Sequence, residues 1–477
     1  MSSLVERART LCSIWATGVS GAVWTLVVVL AVALVLLVAT RPASEVHDAT
    51  MWTHAAPHYD IYIPAFEEWN QEPGAHTVGL ELVSRPVMDR RLLGGFLGSV
   101  PVADLIEAAR SPANLAFAGP PEAVGFLDLT DRLNESGLID VISPPSFAPW
   151  TYRGRIYGLP HDIHPVLLGY RADLVEAAGI DLTNVQTWDD LFEAFAPLQA
   201  DADNDGRPDR YALSLWDSNS DHIETLLLQG GGGPFLPDGT LAIDRPINAR
   251  LMSEMVSWMV GPDRVTTDVP EFSPTGNQLK LEGAAIAYLM PDWMCNIWRR
   301  ELPQLSGKVK VMPLPAWEPG GRRTSVWGGS MLGIARAAEN HDELWSLATR
   351  LYTSDELARE LYRAGDIITP VESLWDDPIF DAPDDYFGGQ PKGRLYIEQA
   401  PDVPRRAATP FFTQGKAAMQ NAVSRLRGYA ESTGKHDAES LLPEAERLLE
   451  QTHEELRRVI ARNVFHIGDE RDGDVAR

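Results

Sequence analysis

Tyr152-Arg-Gly-Arg-Ile-Tyr-Gly-Leu-Pro-His-Asp-Ile-His-Pro165 runs straight into the apolar stretch Val166-Leu-Leu-Gly-Tyr170 and on to Arg171-Ala-Asp-Leu-Val-Glu-Ala-Ala-Gly-Ile-Asp181, with Thr187-Trp-Asp-Asp-Leu191 close behind. Residues 166–170 read as a strand, and 173–178 and 188–195 as helices, while Pro160 and Pro165 stiffen the segment between. The same alternation extends outward in both directions. Strands are expected at 50–53, 78–83, 103–106, 284–289, 308–312 and 331–334, and further helices at 62–70, 249–260, 342–352, 355–364 and 444–460. Leu448, Leu449, Leu456, Val459 and Ile460 recur at helical spacing in the last of these, predicting one stripe packed on a core. Strands alternating with helices predict an α/β class with mostly parallel sheets, and so many residues exceed what one core can hold, so two α/β lobes are expected.

The 477 residues carry 67 acidic against 41 basic side chains, a net charge of −26, with a pI near 4.8. Such a chain repels polyanions, and a nucleic-acid partner is excluded. Two cysteines, Cys12 and Cys295, cannot build a disulfide framework. No charged residue lies between Arg9 and Arg41, and residues 22–39 are almost wholly aliphatic, which approaches the ~20 residues that span hydrocarbon. Arg7 and Arg9 precede the run, predicting a single-pass helix with the N-terminus in the cytoplasm and the bulk in the periplasm or outside the cell. Its length and poor cleavage site favour an anchor over a cleaved signal peptide.

Several stretches together resemble the extracellular solute-binding proteins of ABC importers, in the sugar-binding group typified by maltose-binding protein. They are the opening stretch, then Gly283-Ala-Ala-Ile-Ala-Tyr-Leu-Met-Pro-Asp-Trp293, Val309-Lys-Val-Met-Pro-Leu-Pro315, Val326-Trp-Gly-Gly-Ser-Met-Leu-Gly-Ile334 and Ile368-Thr-Pro-Val371. The resemblance implies a two-lobed periplasmic-binding-protein-like fold with hinge crossings. Its first lobe comprises 46–160 with 316–367, and its second 161–308 with 374–467. The later crossings fall at 309–315 and 368–373. Residues 1–45 are the cytoplasmic stub, anchor and tether, and 468–477 a polar tail. The part after Asp377 is longer than the family pattern, and an anchor stands where a signal or lipid attachment is usual.

The resemblance further implies a monomer that closes on a carbohydrate and delivers it to ABC permease subunits, with no cofactor required. A ligand-sensing role for a membrane receptor and an anchored glycoside-acting enzyme are the alternatives; the latter requires two flanking carboxylates, for which Asp162 and Glu107 are the candidate pair. Ligands of open α/β sheets sit beyond the C-terminal strand ends, which points to His54 after the first strand and Glu107 after the third. Trp293, with Asp292 beside it, and Trp327, with Gly328 and Gly329 permitting close approach, offer aromatic faces for a sugar ring. Asp162 and Trp216 complete the candidate contacts. His161, Asp162 and His164 have zinc-like chemistry but sit where the hinge is expected, and the hinge reading is favoured. Asp201, Asp203, Asp205 and Asp209, with Gly206, match the start of a calcium loop that lacks its closing glutamate, so the stretch reads either as a weak structural calcium site or as an acidic Asp-Gly turn that needs no metal.

Overall fold

The computed structural model describes residues 21–39, 46–98, 100–199 and 208–463. The chain divides into an N-terminal unit ending at Asp48 and a large unit beginning at Ala49. In the first, Gly21–Ala39 is an uncharged helix, and its described side chains, at 22–33, are exposed. Among the described residues no helix is long and apolar enough to cross a membrane. The single-pass span expected over residues 22–39 is therefore not supported by the described residues.

The large unit holds two five-stranded sheets. In chain order its strands are β1 (Ala49–Thr53), β2 (Val78–Leu82), β3 (Leu105–Ala109), β4 (Leu159–Pro160), β5 (Val166–Arg171), β6 (Tyr211–Ser214), β7 (Thr266–Thr267), β8 (Ala285–Pro291), β9 (Val309–Pro313) and β10 (Ser330–Ile334). The first sheet has the order β2-β1-β3-β10-β4 and the second β9-β5-β8-β6-β7. Strands β1, β2 and β3 are parallel, but β10 runs antiparallel to β3 and β4. Likewise β5 is antiparallel to β8 and β9. The sheets are therefore mixed rather than mostly parallel: β10, on which the chain re-enters the first lobe, runs against β3 and β4, and β5, the first strand of the second lobe, runs against β8 and β9.

Central strands are covered on both faces and read as continuous apolar runs. All seven residues of β8 and all five of β3 are buried. Helices pack on these faces, and local chemistry sets their starts. Thr187 caps Trp188–Phe195 by accepting from the Asp190 amide, and Asp190 reciprocates with the Thr187 amide. In Ala438–Ile460 the buried stripe is Leu441, Ala445, Leu448, Leu449, Thr452 and Leu456. Leu448, Leu449 and Leu456 are buried there as their spacing predicts and Ile460 packs against the same core, whereas Val459 is 42% exposed because it turns off that face. The partner helix Phe412–Thr433 was not among the helices expected from the sequence.

Three segments pass between the lobes, and the return crossing is displaced from its expected position. Residues 309–313 form β9, an edge strand of the second sheet. The following residues stay with that lobe: Trp317 stacks on Trp258 with ring centroids 5.0 Å apart, and Ser325 donates to the Thr225 carbonyl at 2.6 Å. The chain crosses after Val326, which bridges Pro165, and enters β10 at Ser330. The third crossing runs by Ile368, whose carbonyl accepts from the Ile163 amide at 3.4 Å.

Candidate functional site

Where the C-terminal ends of β1 and β3 face the start of helix Asp292–Glu301, a cleft of about 540 Å³ opens. His54, Arg110 and Ser111 line it from the first lobe, Trp293 and Phe272 from the second, and Trp327, Gly328 and Gly329 from the return crossing. Trp293 and Trp327 meet edge to face with centroids 5.4 Å apart, and the Trp293 indole donates to the Trp327 carbonyl at 2.9 Å. Phe272 lies nearly parallel to Trp293, at 19° and 6.2 Å. Gly328 has φ +105°, and a Cβ there would come within 2.8 Å of Trp293 Nε1 and 2.9 Å of His164 Cδ2. Only glycine gives both the left-handed backbone and the close approach.

Behind the cleft wall a buried ionic knot ties the three crossings together. His164 Nδ1 bonds Asp292 Oδ1 at 2.6 Å, and its Nε2 lies 3.0 Å from Asp162 Oδ2. Asp162 also accepts from the Ser330 amide of the return crossing at 3.2 Å, and Asp292 from the Ile368 amide of the third at 2.8 Å. Burial opposes charge on His164, but the two carboxylates outweigh it and hold its pKa up at about 10. Burial likewise opposes charge on Asp162, yet His164 and His161 hold its carboxyl well below the usual range. His164 also sits in the left-handed backbone region, φ 49°. Such strain persists only where surroundings over-determine it, and two carboxylates do so here.

Not every expected contact reaches the cleft. Glu107 is fully buried within the first lobe. Its carboxylate accepts from Thr53 Oγ1 (2.8 Å), Tyr62 (2.9 Å) and Tyr352 (2.9 Å) and bonds His58 Nδ1 (2.7 Å). Four partners fill its lone-pair directions, so it cannot serve a ligand. Asp162 and Asp292 are 5% and 0% exposed and orient His164 instead of facing the cleft. Asp162 and Glu107 therefore do not form an exposed acid pair. Trp216 lies under the Arg427 guanidinium, 5.0 Å from its ring centroid, and is not part of the cleft wall. Asp201, Asp203 and Asp205 lie outside the described residues; Asp209 is described. His58, Glu107 and His161 place ligand-type atoms within 4.8 Å of one another, though Glu107 is already saturated by its donors.

Sequence reasoning missed the cations of the cleft. Arg110 follows β3 and bonds Glu224 of helix Ser220–Gln229 at 2.6 Å, with its guanidinium 3.7 Å above the Phe412 ring. Arg406 donates to the Gly328 carbonyl at 2.5 Å. Neither lies in a motif, so the only signal was the position of Arg110 after a strand.

Two α/β lobes joined by three crossings, with an aromatic cleft between strand ends, define a hinged binding protein. The profile of the family described as "Bacterial extracellular solute-binding protein" matches residues 55–357, and the chain belongs to that family. An arabinooligosaccharide-binding protein of Halalkalibacterium halodurans is 23% identical over 347 residues, 70% of this chain and 74% of that one. Its counterpart from Bacillus subtilis is 24% identical over 62% of this chain and 67% of its own. Among solved structures, the sugar-binding protein MalE of Xanthomonas citri superposes with a TM-score of 0.66 at 16% identity, covering 87% of this chain and 99% of that one. A binding protein of B. animalis in complex with beta-1,6-galactobiose gives 0.64 at 18%, covering 86% and 98%.

Proposed function

We propose that this chain captures a carbohydrate between its two lobes and, as a monomer, hands it to an ABC permease without covalent chemistry. The observation that carries this reading is the convergence of Trp293, Trp327 and Phe272 on one cleft at the crossing. Aromatic faces shed water readily and match the apolar face of a sugar ring, while neighbouring polar groups fix its hydroxyls. A ligand touching both lobes has its full set of contacts only when they close, and that difference drives closure. The relatives named for arabinooligosaccharides and galactobiose support the same class of ligand. A thermal-shift screen of the whole protein over mono- and oligosaccharides tests it: a ligand at a hundred times its Kd adds about 2.7 kcal/mol to stability. No shift with any saccharide would remove the reading.

Trp293→Ala is expected to weaken saccharide affinity roughly tenfold to a hundredfold, the loss of one stacking face. Stability should change little, since the ring is only partly buried. Calorimetric titration and denaturant melts on the same variant separate the two effects, and normal affinity in a destabilised variant would make the residue structural.

We also propose that the helix Gly21–Ala39 anchors the chain in the cytoplasmic membrane with the lobes outside. Its uncharged aliphatic sequence supports this, as does the exposure of side chains such as Leu26 and Leu30. The expected result is an intact N-terminus in the membrane fraction. A mature N-terminus near Ala43, found by mass spectrometry, would show cleavage instead.

A further inference from the structure

We propose that the saccharide bound in this cleft is anionic, carrying a uronic carboxylate or a sulfate ester that Arg406 receives. This rests on the carbohydrate reading above and narrows it. Across the sequence acids outnumber bases, 67 to 41, yet among the side chains lining the cleft the balance reverses. Arg85, Arg110, Arg300, Arg406 and Lys416 face only Asp221, Glu224 and Glu301.

Most of these charges are exposed or matched. Arg110 is paired with Glu224, and Lys416 bonds Asp221 and lies 3.8 Å from Glu224. Arg406 differs. It is 8% exposed, and the acceptor it bonds is a neutral carbonyl, that of Gly328. No carboxylate lies within ion-pair distance of it among the described residues. The acids whose fields reach it, Glu224 and Asp162, are engaged with Arg110 and with His164.

A desolvated guanidinium without an anion is costly, and the cost is recovered if a ligand brings one. Burial first, and then the neighbouring Arg110 charge, lower the Arg406 pKa to about 9, as expected of a cation still lacking its partner. Arg110 adds a second donor, since its buried Nε has no acceptor among the described residues. The Gly329 position explains how the ligand could approach. A Cβ there would come within 2.8 Å of Arg406 Nη2, so the bare glycine leaves the guanidinium edge open beside the aromatic wall. A planar fork beside a sugar-stacking face suits a ring that bears a planar carboxylate; a sulfate ester offers the same charge and acceptors.

The test is calorimetric titration of the full chain with digalacturonate, a sulfated galactobiose and neutral galactobiose. At least one anionic disaccharide should bind tenfold or more tighter than the neutral one, and that preference should shrink as salt rises. The stronger of the two anions identifies the group. Arg406→Met should bring the anionic-to-neutral ratio toward one, while Arg406→Lys, which keeps a point charge, should retain part of it. The wild-type comparison decides the matter even if both variants fold poorly. Equal or tighter binding of neutral galactobiose would overturn the anionic assignment and leave the carbohydrate reading standing. Galacturonate monomer and inorganic sulfate binding as well as the anionic disaccharides would overturn the saccharide part instead.

Discussion

Glu107→Ala is expected to lower the unfolding free energy by about 3–5 kcal/mol, the range for removing one member of a buried charged network. The carboxylate is the shared acceptor of His58, Thr53, Tyr62 and Tyr352, contributed by β1 and by helices Ala56–Asn70 and His341–Thr353. Truncation would strand their buried donors with no water to replace the acceptor. Burial opposes its charge, but His58 first and then His161 and His54 hold its carboxyl well below its ordinary value of 4.5. Its contribution is therefore present above pH 4.5 and lost as pH falls through the depressed folded pKa. Glu107→Gln should remove that acid limb from the stability profile while costing less than alanine. Urea melts from neutral to acid pH measure both effects. A Glu107→Ala protein within about 1 kcal/mol of wild type would mean that the network is dispensable. Saccharide affinity of the folded variant should be unchanged, because the side chain does not line the cleft.

His164→Gln should be comparably damaging, about 3–5 kcal/mol, for the opposite reason: it leaves the buried carboxylates Asp162 and Asp292 facing each other without their cation. The pH signature reverses as well. The folded pKa is raised from 6.5 to about 10, so the stabilisation is complete below pH 6.5 and disappears as pH rises through about 10. The wild type should lose stability across that window and the variant should not. Because Asp162 holds the Ser330 amide and Asp292 the Ile368 amide, the loss should also loosen the crossings and alter the closed population. Small-angle scattering with and without saccharide would detect a change in the open-to-closed difference. Melts that keep the wild-type alkaline slope would show that His164 is not the group responsible.

Much of the framework is local and was legible in the chain. The seven expected strands all lie within observed ones or overlap them, because apolar runs bounded by turn residues carry that signal. Trp188–Phe195 is matched at both ends, since Thr187 and Asp190 write its start into the sequence. Trp293, just after β8, and Trp327 with its glycines, in the return crossing just before β10, do come together on the cleft wall, although Trp327 is itself 6% exposed. The long helix Phe412–Thr433 escaped, as its buried Met419, Ala422, Val423, Leu426 and Ala430 stripe is rich in small residues that carry little hydrophobic contrast.

What the sequence by itself determined was the α/β class, the order of the elements, the family and the aromatic part of the cleft. The tertiary structure decided which acids face a ligand and which serve the core. Glu107 looked like a loop acid because it lies near a strand end, yet β3 is covered on both faces, and any polar group in its middle must find partners inside. Those partners are remote in sequence: Tyr352 is 245 residues away, and Asp292 meets His164 across 128. The meeting of Arg110 and Arg406 in one cleft, and the shift of the return crossing to 326–330, have the same origin. Periodicity and capping act over one or two turns, whereas the sign of a buried charge's partner is set only when distant segments pack together.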